Sequence, residues 1–318
     1  MKNFLSVRDV DNLPELLKSA GSIKKDPFGE YDLGGGKYLG LIFLNPSLRT
    51  RLSTQRAAHN LGMEVMVMNL MQEGWKMETS DGTVMDGESV EHIKEAAAVL
   101  GRYCEVIGIR TFPGLKNRDD DYNEIILHSL TKYSGRPVIS LESATRHPLQ
   151  SFADVMTIEE FRGGKTQKPK VVMTWAPHPK ALPQSVPNSF SEWVQEMKYD
   201  FVITHPEGYD LDPSFTKNAA IEYNQDKALE GADFVYVKNW SSYRDYGQIT
   251  SKDTRWTLTL DKLKNTNNAR VLHCLPVRRN MVIADDVLDS HHSAVIQEAE
   301  NRTYAAQAVL KKIIADNF

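Results

Sequence analysis

Three short segments of this chain gather the side chains that bind anions or work on carbonyl carbons. The first, Asn45-Pro46-Ser47-Leu48-Arg49-Thr50-Arg51, follows an apolar run and opens a helical pattern. A helix N-terminus presents unpaired N–H groups and the positive end of a dipole, which suits phosphate. Ser47 and Thr50 add hydroxyl donors there, and Arg49 adds a planar charged fork. The same residues would also make an ordinary helix start, with Ser47 or Asn45 capping and the arginines solvated. The second segment, Thr145-Arg146-His147-Pro148-Leu149-Gln150, sets an imidazole close to an amide after another apolar run. The third, Leu272-His273-Cys274-Leu275-Pro276, ends a further run with a thiol that either meets a substrate or packs as a small hydrophobe. Arg110 ends the run Val106 to Ile109, and Cys104 reads as a plain buried thiol. Together these segments put Ser47, Thr50, Arg110, His147 and Cys274 at the ends of predicted strands, where open α/β sheets bind ligands.

The elements that must carry them alternate. Apolar runs at 38–44, 64–70, 105–109 and 137–141 are separated by helical patterns at 49–61, 88–103 and 122–133. One parallel sheet explains that order. A second series has strand candidates at 170–175, 200–204, 234–237 and 270–273, again with helical patterns between them. The fold class expected is therefore α/β, with two doubly wound parallel-sheet domains and a C-terminal helix packing back on the first. The domains are placed at 1–150 with the helix 297–318, and at 151–296, with a boundary somewhere in 143–168. The polar stretch Gly163 to Pro169 reads as a surface loop, and Gly34-Gly35-Gly36 precedes a strand, so it is a turn and no dinucleotide fingerprint.

Composition narrows the function. At 318 residues there is material for roughly two domains of about 150 residues each. With 41% hydrophobic and 25% charged residues and a formal charge of −4, neither disorder nor a broad nucleic-acid footprint is favoured. No apolar run approaches the roughly 20 residues needed to span a bilayer, and the N-terminus lacks a signal-peptide core, so a cytoplasmic protein is expected. Two cysteines are too few for a disulfide scaffold or a cysteine-rich zinc site.

These motifs resemble those of the aspartate and ornithine carbamoyltransferase family. Its Ser-x-Arg-Thr-Arg is met by Ser47, Arg49, Thr50 and Arg51, its His-Pro-x-Gln by His147, Pro148 and Gln150, and its His-Cys-Leu-Pro by residues 273–276. The order is that of the family, and the similarity runs on to Asn301-Arg302. The resemblance implies a carbamoyl phosphate site made by Ser47, Leu48, Arg49, Thr50, Trp75, Arg110, His147, Gln150, Cys274, Leu275 and Arg302. Within it, Arg110, His147 and Cys274 would be catalytic. Arg110, His147 and Thr50 would stabilise the oxyanion, and Arg49, Arg110 and the helix end the leaving phosphate. It further implies a homotrimer whose sites are shared between subunits, with Trp75 on the loop that reaches across, and no metal or organic cofactor.

The acceptor is where the chain departs from ordinary ornithine enzymes. Those carry Asp-Val-Trp after a strand, with the Asp facing a free α-ammonium; here Lys238-Asn239-Trp240 stands in that place. Two like charges about 4 Å apart cost roughly 4 kcal/mol at an effective dielectric of 20, so an α-ammonium would be repelled and an α-carboxylate welcomed. Lys238 could also be a solvated surface lysine. The segments 174–180, 187–190 and 274–280 resemble the acylornithine branch of the family, whose resemblance implies that Glu142, His178, Lys238 and Arg278 contact an N-acyl-L-ornithine. Acyl choice falls on Val90: acetyl enzymes have Glu there and succinyl enzymes Pro. An uncharged Val leaves room for a second carboxylate, favouring N2-succinyl-L-ornithine over N2-acetyl-L-ornithine unless Glu88 or Glu91 turns into the pocket. An ordinary ornithine or aspartate carbamoyltransferase, a non-catalytic carbamoyl phosphate-binding paralogue and a dehydrogenase are the rival readings.

Overall fold

Runs rich in Val, Ile and Leu, bounded by turns, become strands that are buried on both faces when helices cover a parallel sheet. The computed structural model describes residues 1–164 and 167–318, so Lys165 and Thr166 of the expected surface loop lie outside the described residues. Two compact units are present, Met1–Pro113, Asp119–Leu149 and Arg302–Phe318 in one, and Gly114–Arg118 and Gln150–Asn301 in the other.

The first unit contains β1 (Tyr38–Phe43), β2 (Glu64–Asn69), β3 (Met77–Glu78), β4 (Glu91–His92), β5 (Val106–Arg110) and β6 (Val138–Glu142). Its main sheet is parallel, in the order β2-β1-β5-β6. Central β5 is buried up to its last residue, whereas edge strand β2 alternates, turning Glu64, Met66 and Met68 outward. The chain leaves β1 through the helix Arg49–Asn60 to reach β2, then returns to the other flank of β1 as β5. The sheet therefore changes its direction of growth between β1 and β5, and Phe43 pairs with Arg110 at that point. Behind it, the helices Ile93–Tyr103 and Ile125–Tyr133 approach so closely at Gly101 that any Cβ there would strike the Ser134 carbonyl oxygen.

Two expected helices start later than their patterns suggested. The one expected from residue 88 begins at Ile93, because Glu91 and His92 pair with Met77 and Glu78 as β4 and β3, and His92 Nδ1 caps the Lys94 N–H at 3.2 Å. The one expected from residue 122 begins at Ile125, after Glu124 takes a left-handed φ of 45°.

The second unit contains β7 (Lys170–Trp175), β8 (Asp200–Thr204), β9 (Ala220–Glu222), β10 (Phe234–Lys238) and β11 (Arg270–Leu272). All are parallel, in the order β11-β10-β7-β8-β9. Edge strand β9 was not anticipated; its three residues are mostly exposed and carry no apolar run. Here the direction of growth changes between β7 and β10, where Trp175 pairs with Lys238. Aromatic rings fill the core: Phe190 stacks on Tyr236 at 4.0 Å and Phe152 on Trp193 at 5.3 Å. Buried indoles need acceptors, and Trp175 Nε1 finds the Trp240 carbonyl at 3.0 Å. No described helix is long and apolar enough to cross a membrane.

Candidate active site

Open α/β sheets bind ligands at the carboxyl ends of the two strands between which growth reverses. In the first unit that point gathers half of the residues singled out from sequence. Leu48, without any side-chain cap, starts the helix Arg49–Asn60, and Asn45 is instead turned to the Phe112 N–H, 3.0 Å away. The ordinary-cap alternative is thus not what the chain builds, and the helix end keeps its N–H groups for a ligand.

From there a chain of polar contacts runs inward. Arg110, at the end of β5, donates to the carbonyls of Asn45 and Pro46, and through Nε and Nη2 to Glu142 Oε2 at 3.0 and 2.7 Å. Glu142, at the end of β6, also lies 3.9 Å from His147 Nε2. Arg302 Nη1 lies 3.5 Å from the same Nε2, while its Nη2 donates to Thr50 Oγ1 at 2.7 Å. Thr50, Glu142, His147 and Arg302 are buried, and Ser47 and Arg49 are half-buried beside them. Because Thr50 Oγ1 accepts from Arg302, its own O–H is left to donate. Two guanidiniums, a hydroxyl and a helix end in one place are donors suited to an anion.

Trp75 and Val90 stand elsewhere in this unit, 53% and 68% exposed, on the segment that carries β3 and β4. Backbone pairing holds them together, Val90 N donating to the Lys76 carbonyl at 3.1 Å. The neighbouring acids are engaged: Glu88 with Lys76 at 3.0 Å and Glu91 with the Trp75 indole N–H at 2.9 Å.

The reversal point of the second sheet is cationic. Lys238 closes β10 and is only 9% exposed. His178 follows β7, and Arg278 follows β11 and donates through Nε to His178 Nε2 at 3.0 Å. The Nδ1 atom of His178 faces the Lys180 carbonyl at 2.8 Å. Burial, followed by the charges of Lys238, Arg278 and Lys180, holds the His178 imidazole below its ordinary pKa. Among the described residues, no carboxylate forms an ion pair with Lys238 or Arg278. A nearly buried lysine without a counter-ion is costly, and a carboxylate arriving from solution would offset that cost.

Gln150, Cys274 and Leu275 belong to this second unit as well. The Gln150 amide is buried between Asp154 and Glu298, and Cys274 is half-buried in a turn where Leu275 adopts a φ of 52°. The importance of Asp154 and Glu298 was missed from sequence; an acid within the apolar run Phe152 to Ile158 was the available signal. Cys104 is buried, and burial raises its thiol pKa, as suits a core residue. Among the described residues, no group of three or more His, Cys, Asp or Glu could hold a metal ion.

With the geometry in place, comparison with known proteins decides the relationship. Residues 2–160 match the family model described as aspartate/ornithine carbamoyltransferase, carbamoyl-P binding domain, and 183–313 match the corresponding Asp/Orn binding domain. The chain belongs to the aspartate/ornithine carbamoyltransferase family. This carbamoyltransferase is 57% identical over 316 residues to an N-succinylornithine carbamoyltransferase of Bacteroides thetaiotaomicron, covering 99% of each chain. It is 35% identical to an N-acetylornithine carbamoyltransferase of Xanthomonas campestris pv. campestris, covering 100% of this chain and 99% of the other. A crystal structure of N-acetyl-L-ornithine transcarbamylase with one glutamate replaced by valine, complexed with carbamyl phosphate and N-succinyl-L-norvaline, aligns with a TM-score of 0.92. That pair is 34% identical, over 98% of this chain and 100% of the other.

Proposed function

We propose that this carbamoyltransferase moves the carbamoyl group of carbamoyl phosphate onto the δ-amine of N2-succinyl-L-ornithine, giving N2-succinyl-L-citrulline and phosphate. The observation that carries the acceptor is Lys238, nearly buried beside His178 and Arg278 and, among the described residues, in no ion pair with an acid. Such a cluster accepts an α-carboxylate and repels a free α-ammonium, so the α-nitrogen must arrive acylated. For the acyl group, support comes from the 57% identical relative and from uncharged Val90, whose acidic neighbours are held by Lys76 and Trp75. The valine-substituted acetylornithine enzyme with its succinylnorvaline points the same way.

In this reading the N–H groups at Ser47 to Thr50, with Arg49 and Arg110, hold the phosphate. Arg110, His147 and Thr50 face the carbamoyl oxygen, with Arg302 beside Thr50, while Gln150, Cys274 and Leu275 take the carbamoyl nitrogen side. Glu142 joins His178, Lys238 and Arg278 around the acylornithine. The neutral δ-amine attacks the carbamoyl carbon, the C–O bond to phosphorus breaks, and phosphate leaves with the electron pair and takes the proton that the nitrogen sheds. Exposed Trp75 and Val90 fit a homotrimer in which each subunit lends this segment to its neighbour, and a cytoplasmic setting fits both substrates.

The test is turnover of ornithine, aspartate, N-acetylornithine and N-succinylornithine at equal concentration, by phosphate release. Preference for N-succinylornithine is expected; preference for free ornithine ends the reading. Val90→Glu should weaken N-succinylornithine use and spare N-acetylornithine, and an unchanged ratio removes Val90 from acyl selection.

A further inference from the structure

Asp154 and Glu298 touch neither substrate in the scheme above, yet both side chains are wholly buried. Asp154 lies one turn after Gln150 on the helix Pro148–Arg162, and Glu298 stands in the first turn of the helix Val295–Asn317. One nitrogen joins them: Gln150 Nε2 donates to Asp154 Oδ1 at 2.7 Å and to Glu298 Oε1 at 2.9 Å. The other oxygen of Glu298 accepts the His273 backbone N–H at 2.8 Å, and His273 Nδ1 accepts the Leu275 N–H at 2.9 Å. Glu298 thereby ties the Gln150 amide to the turn that carries Cys274. Among the described residues, the Tyr236 phenol from β10 and the Cys274 thiol after β11 face the pair, and neither of these brings a positive charge.

Two wholly buried carboxylates gathered on one amide cannot both keep their charge. We infer that Asp154 and Glu298 hold a single proton between them, and that this pair is a positioning device which turns the Gln150 nitrogen inward and its oxygen outward. Carboxylate oxygens accept and an amide nitrogen donates, so the inward face must be the NH2. Two neutral amides in their place would hydrogen-bond either face of Gln150 and leave its orientation open. The inference rests on the carbamoyl-transfer reading in one respect: the outward oxygen is then the acceptor for the carbamoyl NH2. Burial first, and the Asp154 charge second, push the Glu298 carboxyl well above the ordinary carboxylate range, which agrees with a retained proton.

Infrared difference spectra of the intact protein at neutral pH, parent minus Glu298→Gln and parent minus Asp154→Asn, test the shared proton. A carbonyl band of a protonated carboxyl should appear in both, since either replacement leaves its partner ionised; its absence from both overturns the inference. Kinetics test the positioning. In the double variant Asp154→Asn with Glu298→Gln, kcat should fall about tenfold or more while KM for the acceptor moves much less; a parental kcat overturns the positioning role. Should that variant not fold, Glu298→Gln and Glu298→Leu supply the comparison: the amide should retain more kcat, and equal values overturn the role. A parent protein that carbamoylates none of the acceptors would sink the functional reading alone, since the infrared band is decided without turnover.

Discussion

Replacing Lys238 with methionine keeps the stem of the side chain and removes only its charge. Lys238 is 9% exposed, sits near His178 and Arg278, and among the described residues forms no ion pair with a carboxylate. With an acceptor bound, a carboxylate about 4 Å away at an effective dielectric of about 20 is attracted by about 4 kcal/mol. Desolvating that carboxylate takes back roughly half, leaving about 2 kcal/mol, or about thirtyfold in kcat/KM. Without ligand the sign is opposite. An unpaired, nearly buried cation destabilises the fold, so Lys238→Met should raise the urea midpoint while it lowers activity. Initial rates of phosphate release across N-succinylornithine concentrations, beside urea titrations of both proteins, read the two effects. Parental kcat/KM, or a fall in stability accompanying the loss of rate, would refute the electrostatic account.

Other outcomes follow from the same geometry. The His178 imidazole should titrate below an ordinary histidine in the free protein, by NMR, and its pKa should rise when an acylornithine analogue brings a carboxylate to the cluster; an unmoved titration removes His178 from that site. Glu298 has a raised pKa in the folded state, so as pH climbs past the usual carboxylate range the unfolded chain loses this proton first and stability declines until the folded pKa is reached. Glu298→Gln should remove up to about 1.4 kcal/mol per pH unit of that decline, measured by urea unfolding between acidic and neutral pH. Gly101→Ala forces a methyl against the Ser134 carbonyl oxygen and should cost about 1–3 kcal/mol, read as a lower midpoint in the same titration.

Much of this was readable from sequence because the strands carrying the site are buried on both faces and so print continuous apolar runs. The strand Asp200–Thr204 was placed to the residue, and the run at 106–109 led directly to Arg110 at its end. Short elements were not legible. Strands β3, β4 and β9 have two or three residues each, too few to show a period, and they exist because neighbouring backbone pairs with them. Polar residues named from sequence came without their partners: nothing in the order of residues joins Arg110 to Glu142 or Thr50 to Arg302, which meet only because adjacent strand ends and the last helix do. Asp154 and Glu298 escaped for the same reason, since an acid on a helix reads as surface until packing encloses it.

The contact of Arg110 with Glu142 has a further consequence for turnover. The guanidinium proposed to hold the phosphate is already paired with an internal anion 2.7 Å away. An arriving donor gains only the difference between its own oxygens and that carboxylate, which moderates its affinity. Equally, a departing phosphate leaves no bare cation behind, because the resident glutamate takes the place it vacates. The pair exchanges one anion for another in both directions, which favours a site that loads and empties readily over one that clings to its product.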